Sequence, residues 1–167
     1  MIKKKVCMLG SFAVGKTSLV SRYVHSIFSE TYHTTVGVKI DKKRVRYNGD
    51  DVTLMLWDLA GEDEFCRLRE SYLRGSSGYL VVVDGTRPAT LDRALLVNQK
   101  AEAVVGELPR ILVLNKHDLT DAWETDERRL DMLRNEGWTV VKTSAKTGAG
   151  VESLFAELTA RMLERDS

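Results

Sequence analysis

Gly10, Gly15, Lys16 and Thr17 stand in the spacing Gly-x-x-x-x-Gly-Lys-Thr within "LGSFAVGKTSL", residues 9–19. Glycines at both ends let a backbone coil tightly and turn its N–H groups inward, and a helix start adds positive potential there. A loop of this kind binds phosphate. The amides of Ala13, Val14, Gly15, Lys16, Thr17 and Ser18 then face the anion. Lys16 reaches the β- and γ-phosphates, and the Thr17 hydroxyl ligates Mg²⁺. The bland alternative is a glycine-containing turn between a strand and a helix. The order of elements around the loop weighs against it.

A phosphate loop does not name a base. "LNKHDL" carries Asn115-Lys116-x-Asp118 after an apolar run, and "TSAKTG" carries Ser144-Ala145-Lys146 after another. An aspartate carboxylate accepts from the N1–H and exocyclic N–H₂ of guanine, a donor pair that adenine lacks. The N–H of Ala145 suits guanine O6. Lys116 and Lys146 offer aliphatic stems that pack on a purine ring. Either motif alone is also compatible with a solvated loop. Together, in order after the phosphate loop, they specify a guanine nucleotide.

These residues need a frame that brings three distant loops together. Apolar runs recur at 6–10, 51–59, 78–85, 110–116 and 138–144. Their Val- and Leu-rich character on both faces suits strands buried between two helical layers. Segments with helical spacing lie at 16–25, 64–74, 88–105, 124–136 and 150–164. In the last, Val151, Leu154, Phe155, Leu158 and Met162 form one stripe. The alternation predicts a three-layer α/β domain spanning residues 1–167. One segment departs from it. Asn48-Gly49 favours a tight hairpin turn, so the strand over 38–47 should run antiparallel to the next. Its charges, Lys39, Asp41, Lys42, Lys43, Arg44 and Arg46, suit an exposed edge. Six strands are expected, five parallel and one antiparallel at the edge, with about five helices.

Composition bounds the rest. The 167 residues can bury a core without disulfides. With 43% hydrophobic and 29% charged residues the balance is globular rather than disordered. A net charge of +1 argues against nucleic acid as partner. Two cysteines, Cys7 and Cys66, fit a reduced cytoplasmic setting. No apolar run approaches the roughly 20 residues of a membrane helix. "MIKKKVCMLG" reads as a first strand with a basic entry rather than a signal peptide.

With its three nucleotide motifs, the chain resembles the Ras-like small GTPases, and within them the Rab branch, along essentially its whole length. "WDLAGED" at 57–63 is similar to the family's magnesium and γ-phosphate segment. The resemblance implies that Asp58 holds Mg²⁺ through water and that the Gly61 N–H senses the γ-phosphate. "FSETYHTTVGV" at 28–38 resembles the first switch. There Phe28 would stack edge-on to guanine, Tyr32 would cover the phosphates, and Thr35 would complete the magnesium shell. Thr34 is a rival for that last role, and a core aromatic is the rival reading of Phe28. Trp57 and Phe65 read as packing or partner-contact residues. Effectors, exchange factors and GTPase-activating proteins would engage residues 30–46 and 59–74.

Two positions depart from the family pattern, which has a small residue at Phe12 and Gln at Glu62. Gln orients the attacking water with a neutral amide. Glu62 accepts from water but cannot donate to a phosphate oxygen. Phe12 crowds the path of an orienting side chain or a partner's arginine. Slow hydrolysis is therefore expected, with Lys16, Gly61 and Glu62 as the catalytic set. Glu62 turned outward beside a partner-supplied group, or Glu62 as general base, stay open, as does a GTP-loaded scaffold that does not turn over. An ATP-using kinase is disfavoured by Asn115-Lys116-x-Asp118. The chain has no Met-Gly start and ends "ARMLERDS", without a cysteine for lipidation.

Overall fold

The computed structural model describes residues 2–29, 37–60 and 69–166. Among these, six strands form one sheet: β1 (Ile2–Leu9), β2 (Val38–Tyr47), β3 (Asp50–Leu59), β4 (Gly78–Asp84), β5 (Arg110–Asn115) and β6 (Val140–Lys142). The helices are α1 (Lys16–His25), α2 (Glu70–Leu73), α3 (Ala89–Val105), α4 (Glu127–Asn135) and α5 (Val151–Arg165). Strand order is β2-β3-β1-β4-β5-β6. Only β2 is antiparallel, paired with β3 so that Val45 faces Val52. The hairpin turn places Asn48 at φ 49° and Gly49 at φ 86°. Positive φ at both central residues matches the right-handed twist of the flanking strands.

Alternation along the buried strands builds two cores. Leu80 and Val82 of β4 face α1 and α5, joining Leu19, Tyr23, Leu154, Phe155 and Leu158. Tyr79, Val81 and Val83 face the other way, toward Leu91, Ala94 and Val97 of α3 and Leu130 and Leu133 of α4. Tyr23 and Phe155 stack at 4.0 Å between centroids, fixing α1 against α5.

Three element boundaries differ from those expected. The sixth strand is short because Trp138 leaves the ladder: it is buried against the α3/α4 core, with the Arg110 guanidinium 3.9 Å from its ring. The fourth helix begins at Glu127 rather than near 124, because the Asp126 side chain caps the Arg128 N–H. Of the segment 64–74, the described part is helical only over Glu70–Leu73. Cys7 is buried in β1; Cys66 lies outside the described residues. No helix among the described residues is long and apolar enough to cross a membrane.

The parallel strands matter most for function. The C-terminal ends of β1, β4, β5 and β6 all emerge at one edge, and each continues into a connecting loop there. Ligands bind there in open α/β sheets, where the strand order reverses. Here the reversal lies at β1, flanked by β3 and β4.

Candidate nucleotide and metal site

The loop after β1 is glycine-dependent at two points. Gly10 has φ 141°, and a Cβ there would lie 2.4 Å from the Val82 carbonyl oxygen. Gly15 has φ 104°, and its Cβ would lie 2.2 Å from Asn115 Nδ2. Any side chain would therefore push the loop off β4 or off the loop after β5. Between them, Ala13 sits at φ 62°, in the left-handed region that non-glycine residues rarely occupy.

Asn115 ties the site together. Its Nδ2 donates to the Val14 carbonyl at 3.1 Å. Its Oδ1 accepts from Thr143 Oγ1 at 3.1 Å and from the Ala145 N–H at 3.3 Å. One buried amide thus joins all three loops. Lys116 Nζ donates to the Ala13 carbonyl at 3.0 Å and pairs with Asp84 at 2.9 Å. Asp118 accepts from Ser144 Oγ at 2.8 Å, which aligns the 115–118 loop with the 144–146 loop. From the opposite side, Arg22 of α1 donates through Nε to the Ala145 carbonyl at 2.7 Å and also bonds the Lys146 carbonyl.

Lys16 is only 6% exposed and donates to the Gly10 and Ser11 carbonyls at 2.8 and 3.0 Å. Its ammonium therefore sits inside the loop. Phe28 packs half-buried against the α1/α5 core. Trp57 packs against the opposite core, with Lys5 Nζ 3.6 Å from its ring centroid. Tyr32, Thr34, Thr35, Gly61, Glu62 and Phe65 lie outside the described residues. Phe12 is 45% exposed at the rim of the loop.

Thr17 and Asp58 meet across the mouth of the loop: Thr17 Oγ1 donates to Asp58 Oδ2 at 2.5 Å. Asp58 is 1% exposed, and its Oδ1 has no partner among the described residues. A buried, unpaired carboxylate oxygen is costly. Burial pushes the Asp58 carboxyl up, and the Thr17 hydroxyl and the Lys16 charge only partly oppose this. A hard divalent cation is the group that such an oxygen and hydroxyl suit. No cluster of three His, Cys, Asp or Glu side chains stands among the described residues.

The raised Asp58 pKa carries a sign. Its folded value lies above its unfolded value, so the native state binds the proton more readily. Asp58 therefore destabilises the empty protein at neutral pH, and this cost fades as pH falls through the raised value. Asp58→Asn is expected to raise the melting temperature of the nucleotide-free protein at neutral pH. If the site takes Mg²⁺ with a nucleotide, the same variant should lose the stability that this binding adds. Thermal melts with Mg²⁺ and with EDTA check both; Asp58→Asn melting below wild type in EDTA would refute the first.

Asp84, which ends β4, and Thr86 and Arg87, which follow it, are part of this site yet stood out in no motif. Asp84 is buried and accepts from the Thr86 N–H and hydroxyl, Lys116 and Arg87. Burial alone would push its carboxyl up. The hydrogen bonds from Thr86, Lys116 and Arg87 outweigh this and hold it below the usual range. The available signal was a lone acid closing the otherwise apolar run "GYLVVVD".

A sequence model of the Ras family matches residues 5–164. The chain belongs to the Ras family. Within it the chain is a Rab-like small GTPase by its relatives. It is 35% identical to the Ras-related protein Rab-22A of Mus musculus, over 98% of this chain and 85% of that protein. It is 34% identical to the Ras-related protein Rab-32B of Dictyostelium discoideum, over 96% of this chain and 64% of that protein. A Dictyostelium discoideum GTP-binding protein, a Rheb homolog, is 31% identical over 93% of this chain and 85% of its own length. The mixed six-stranded sheet with β2 as its antiparallel edge is the Ras-family fold.

Proposed function

We propose that residues 1–167 form one G domain that binds GTP and GDP with Mg²⁺ and works as a slowly hydrolysing molecular switch. The observation that carries this reading is the Asn115 amide, which holds the phosphate loop and both base-side loops at one edge of the sheet. The phosphates lie on the amides of Ala13, Val14, Gly15, Lys16, Thr17 and Ser18, with Lys16 as counter-charge. Asp118 reads the guanine N–H groups, the Ala145 N–H reads O6, and the Lys116 and Lys146 stems flank the ring. Phe28 and Tyr32 close the nucleotide in from the side. Thr17, Thr35 and Asp58 hold the Mg²⁺, directly or through water. When bound, the ion neutralises charge on the β- and γ-phosphate oxygens.

Signalling follows from differential contacts. The γ-phosphate gives Tyr32, Thr35 and Gly61 ligands that the diphosphate lacks. Losing them releases the loops around 30–37 and 59–70, and a partner reading the ordered loops binds only the triphosphate state. Residues 30–46 and 59–74 are the surface for effectors, exchange factors and activating proteins. Their basic edge strand β2 leaves one side of its ladder open to pairing.

Hydrolysis is the weak step. Glu62 brings a negative charge toward an anionic centre and cannot donate to it. Phe12, exposed at the rim, occupies the approach that an activating arginine uses. Glu62→Gln is expected to speed single-turnover GTP hydrolysis about tenfold, or about 1.4 kcal/mol of barrier. Phe12→Gly should add little alone but should restore acceleration by an activating partner. Wild-type hydrolysis as fast as the Glu62→Gln variant refutes the slow-switch reading. The exposed Phe12 also favours a second reading, a GTP-loaded scaffold. No turnover in wild type, with or without cell extract, selects it.

A further inference from the structure

Three successive carbonyls of the phosphate loop are each held by a different side chain. Phe12 O accepts from Arg87 Nη2 at 3.1 Å, Ala13 O from Lys116 Nζ at 3.0 Å, and Val14 O from Asn115 Nδ2 at 3.1 Å. In a planar trans peptide the C=O and the following N–H point in opposite directions. Each carbonyl drawn outward therefore turns the next amide inward. Arg87 orients the Ala13 N–H, Lys116 that of Val14, and Asn115 that of Gly15.

The first two clamps bracket a strained residue. Ala13 has φ 62°, and the peptide planes on both sides of it are the ones that Arg87 and Lys116 hold. Left-handed backbone at a non-glycine persists only where its surroundings over-determine it. Both cations, moreover, rest on one oxygen: Asp84 Oδ2 lies 2.9 Å from Arg87 Nε and 2.9 Å from Lys116 Nζ. The Arg87 backbone is itself fixed by a turn. Its N–H donates to the Asp84 carbonyl at 3.0 Å, and its carbonyl accepts from the Thr90 N–H and hydroxyl at 2.9 and 2.8 Å. The guanidinium is thus delivered to the loop by a built corner rather than by a loose side chain.

We infer that Asp84 and Arg87 form a positioning pair for the phosphate cradle, setting the Ala13 amide against the anion and so the lifetime of the bound nucleotide. This rests on the guanine-nucleotide reading of the site. Arg87 touches no nucleotide in this scheme; it acts through the Phe12–Ala13 peptide. Its side chain is 47% exposed, so its loss should leave the fold intact and its effect is moderated by solvent.

The test is the release of GDP, followed with a fluorescent GDP displaced by excess unlabelled GDP, in wild type, Arg87→Ala, Arg87→Lys and Asp84→Asn. Arg87→Ala is expected to release GDP roughly three- to tenfold faster, the loss of one half-exposed charge-assisted hydrogen bond. Arg87→Lys should recover part of the difference, and Asp84→Asn, which loosens both cations, should exceed Arg87→Ala. The preference for GDP over inosine diphosphate reports the base side and should not change in Arg87→Ala; nor should the melting temperature without nucleotide. Release from Arg87→Ala at the wild-type rate overturns the inference while leaving the nucleotide reading intact. A fall in melting temperature together with altered base preference makes Arg87 a general structural residue and also overturns it. Wild type that binds no guanine nucleotide removes the site assignment itself.

Discussion

Asp118→Asn should cut affinity for GTP by roughly a hundred- to a thousandfold while raising affinity for xanthosine triphosphate. Guanine presents two donors side by side, N1–H and the exocyclic N–H₂. A carboxylate offers an acceptor oxygen to each, and both bonds are charge-assisted. Asparagine keeps one acceptor and turns the other position into a donor. That donor faces the guanine amino group, so one bond is lost and a repulsive contact replaces it. Xanthine carries a carbonyl where guanine carries the amine, and the new donor suits it. The loop itself should survive, because Ser144 Oγ, now donating to Asp118 at 2.8 Å, can donate equally to an amide oxygen. Calorimetry with Mg²⁺ and GTP, xanthosine triphosphate or ATP gives the result. An unchanged GTP-to-xanthosine ratio rejects Asp118 as the base reader, and ATP matching GTP in the wild type rejects the guanine assignment altogether.

What could be read from the chain alone was whatever local chemistry dictates. The Asn48-Gly49 turn and the charged face of β2 placed the antiparallel edge, because a tight hairpin and an unpaired ladder each demand particular residue types. Double-sided apolar runs placed the buried strands. The strand–loop–helix context of Gly10, Gly15, Lys16 and Thr17 was legible because the segment is contiguous. Boundaries were less so: Trp138 has the composition of a strand residue, yet packing against α4 and Arg110 takes it out of the ladder. Least legible were pairings across the chain. Arg87 meets Phe12 across 75 positions, and Arg22 meets Ala145 across 123. No periodicity encodes such contacts. They arise because parallel strands deliver the ends of β1, β4, β5 and β6 to the same edge, and only the assembled edge shows which loop leans on which.

Lys16→Ala is expected to lower GTP affinity by roughly a hundred- to a thousandfold, the loss of a buried charge-assisted contact to phosphate. Two effects compete in this substitution. Without nucleotide, the Lys16 ammonium bonds the Gly10 and Ser11 carbonyls, so its removal frees two acceptors and loosens the empty loop. In the proposed nucleotide complex, the ammonium would be the positive charge among several phosphate negatives. The second effect dominates, since a protein carbonyl is a neutral partner and a phosphate oxygen an anionic one. The affinity loss should therefore grow with phosphate number, larger for GTP than for GDP, whereas mere loosening of the loop would penalise both alike. Lys16→Arg should not rescue it: a planar, bulkier fork does not fit a position that is 6% exposed and enclosed by the loop. Equilibrium titrations of GTP and GDP against wild type and both variants measure the difference. Equal losses for the two nucleotides would assign Lys16 to loop structure rather than to the γ-phosphate.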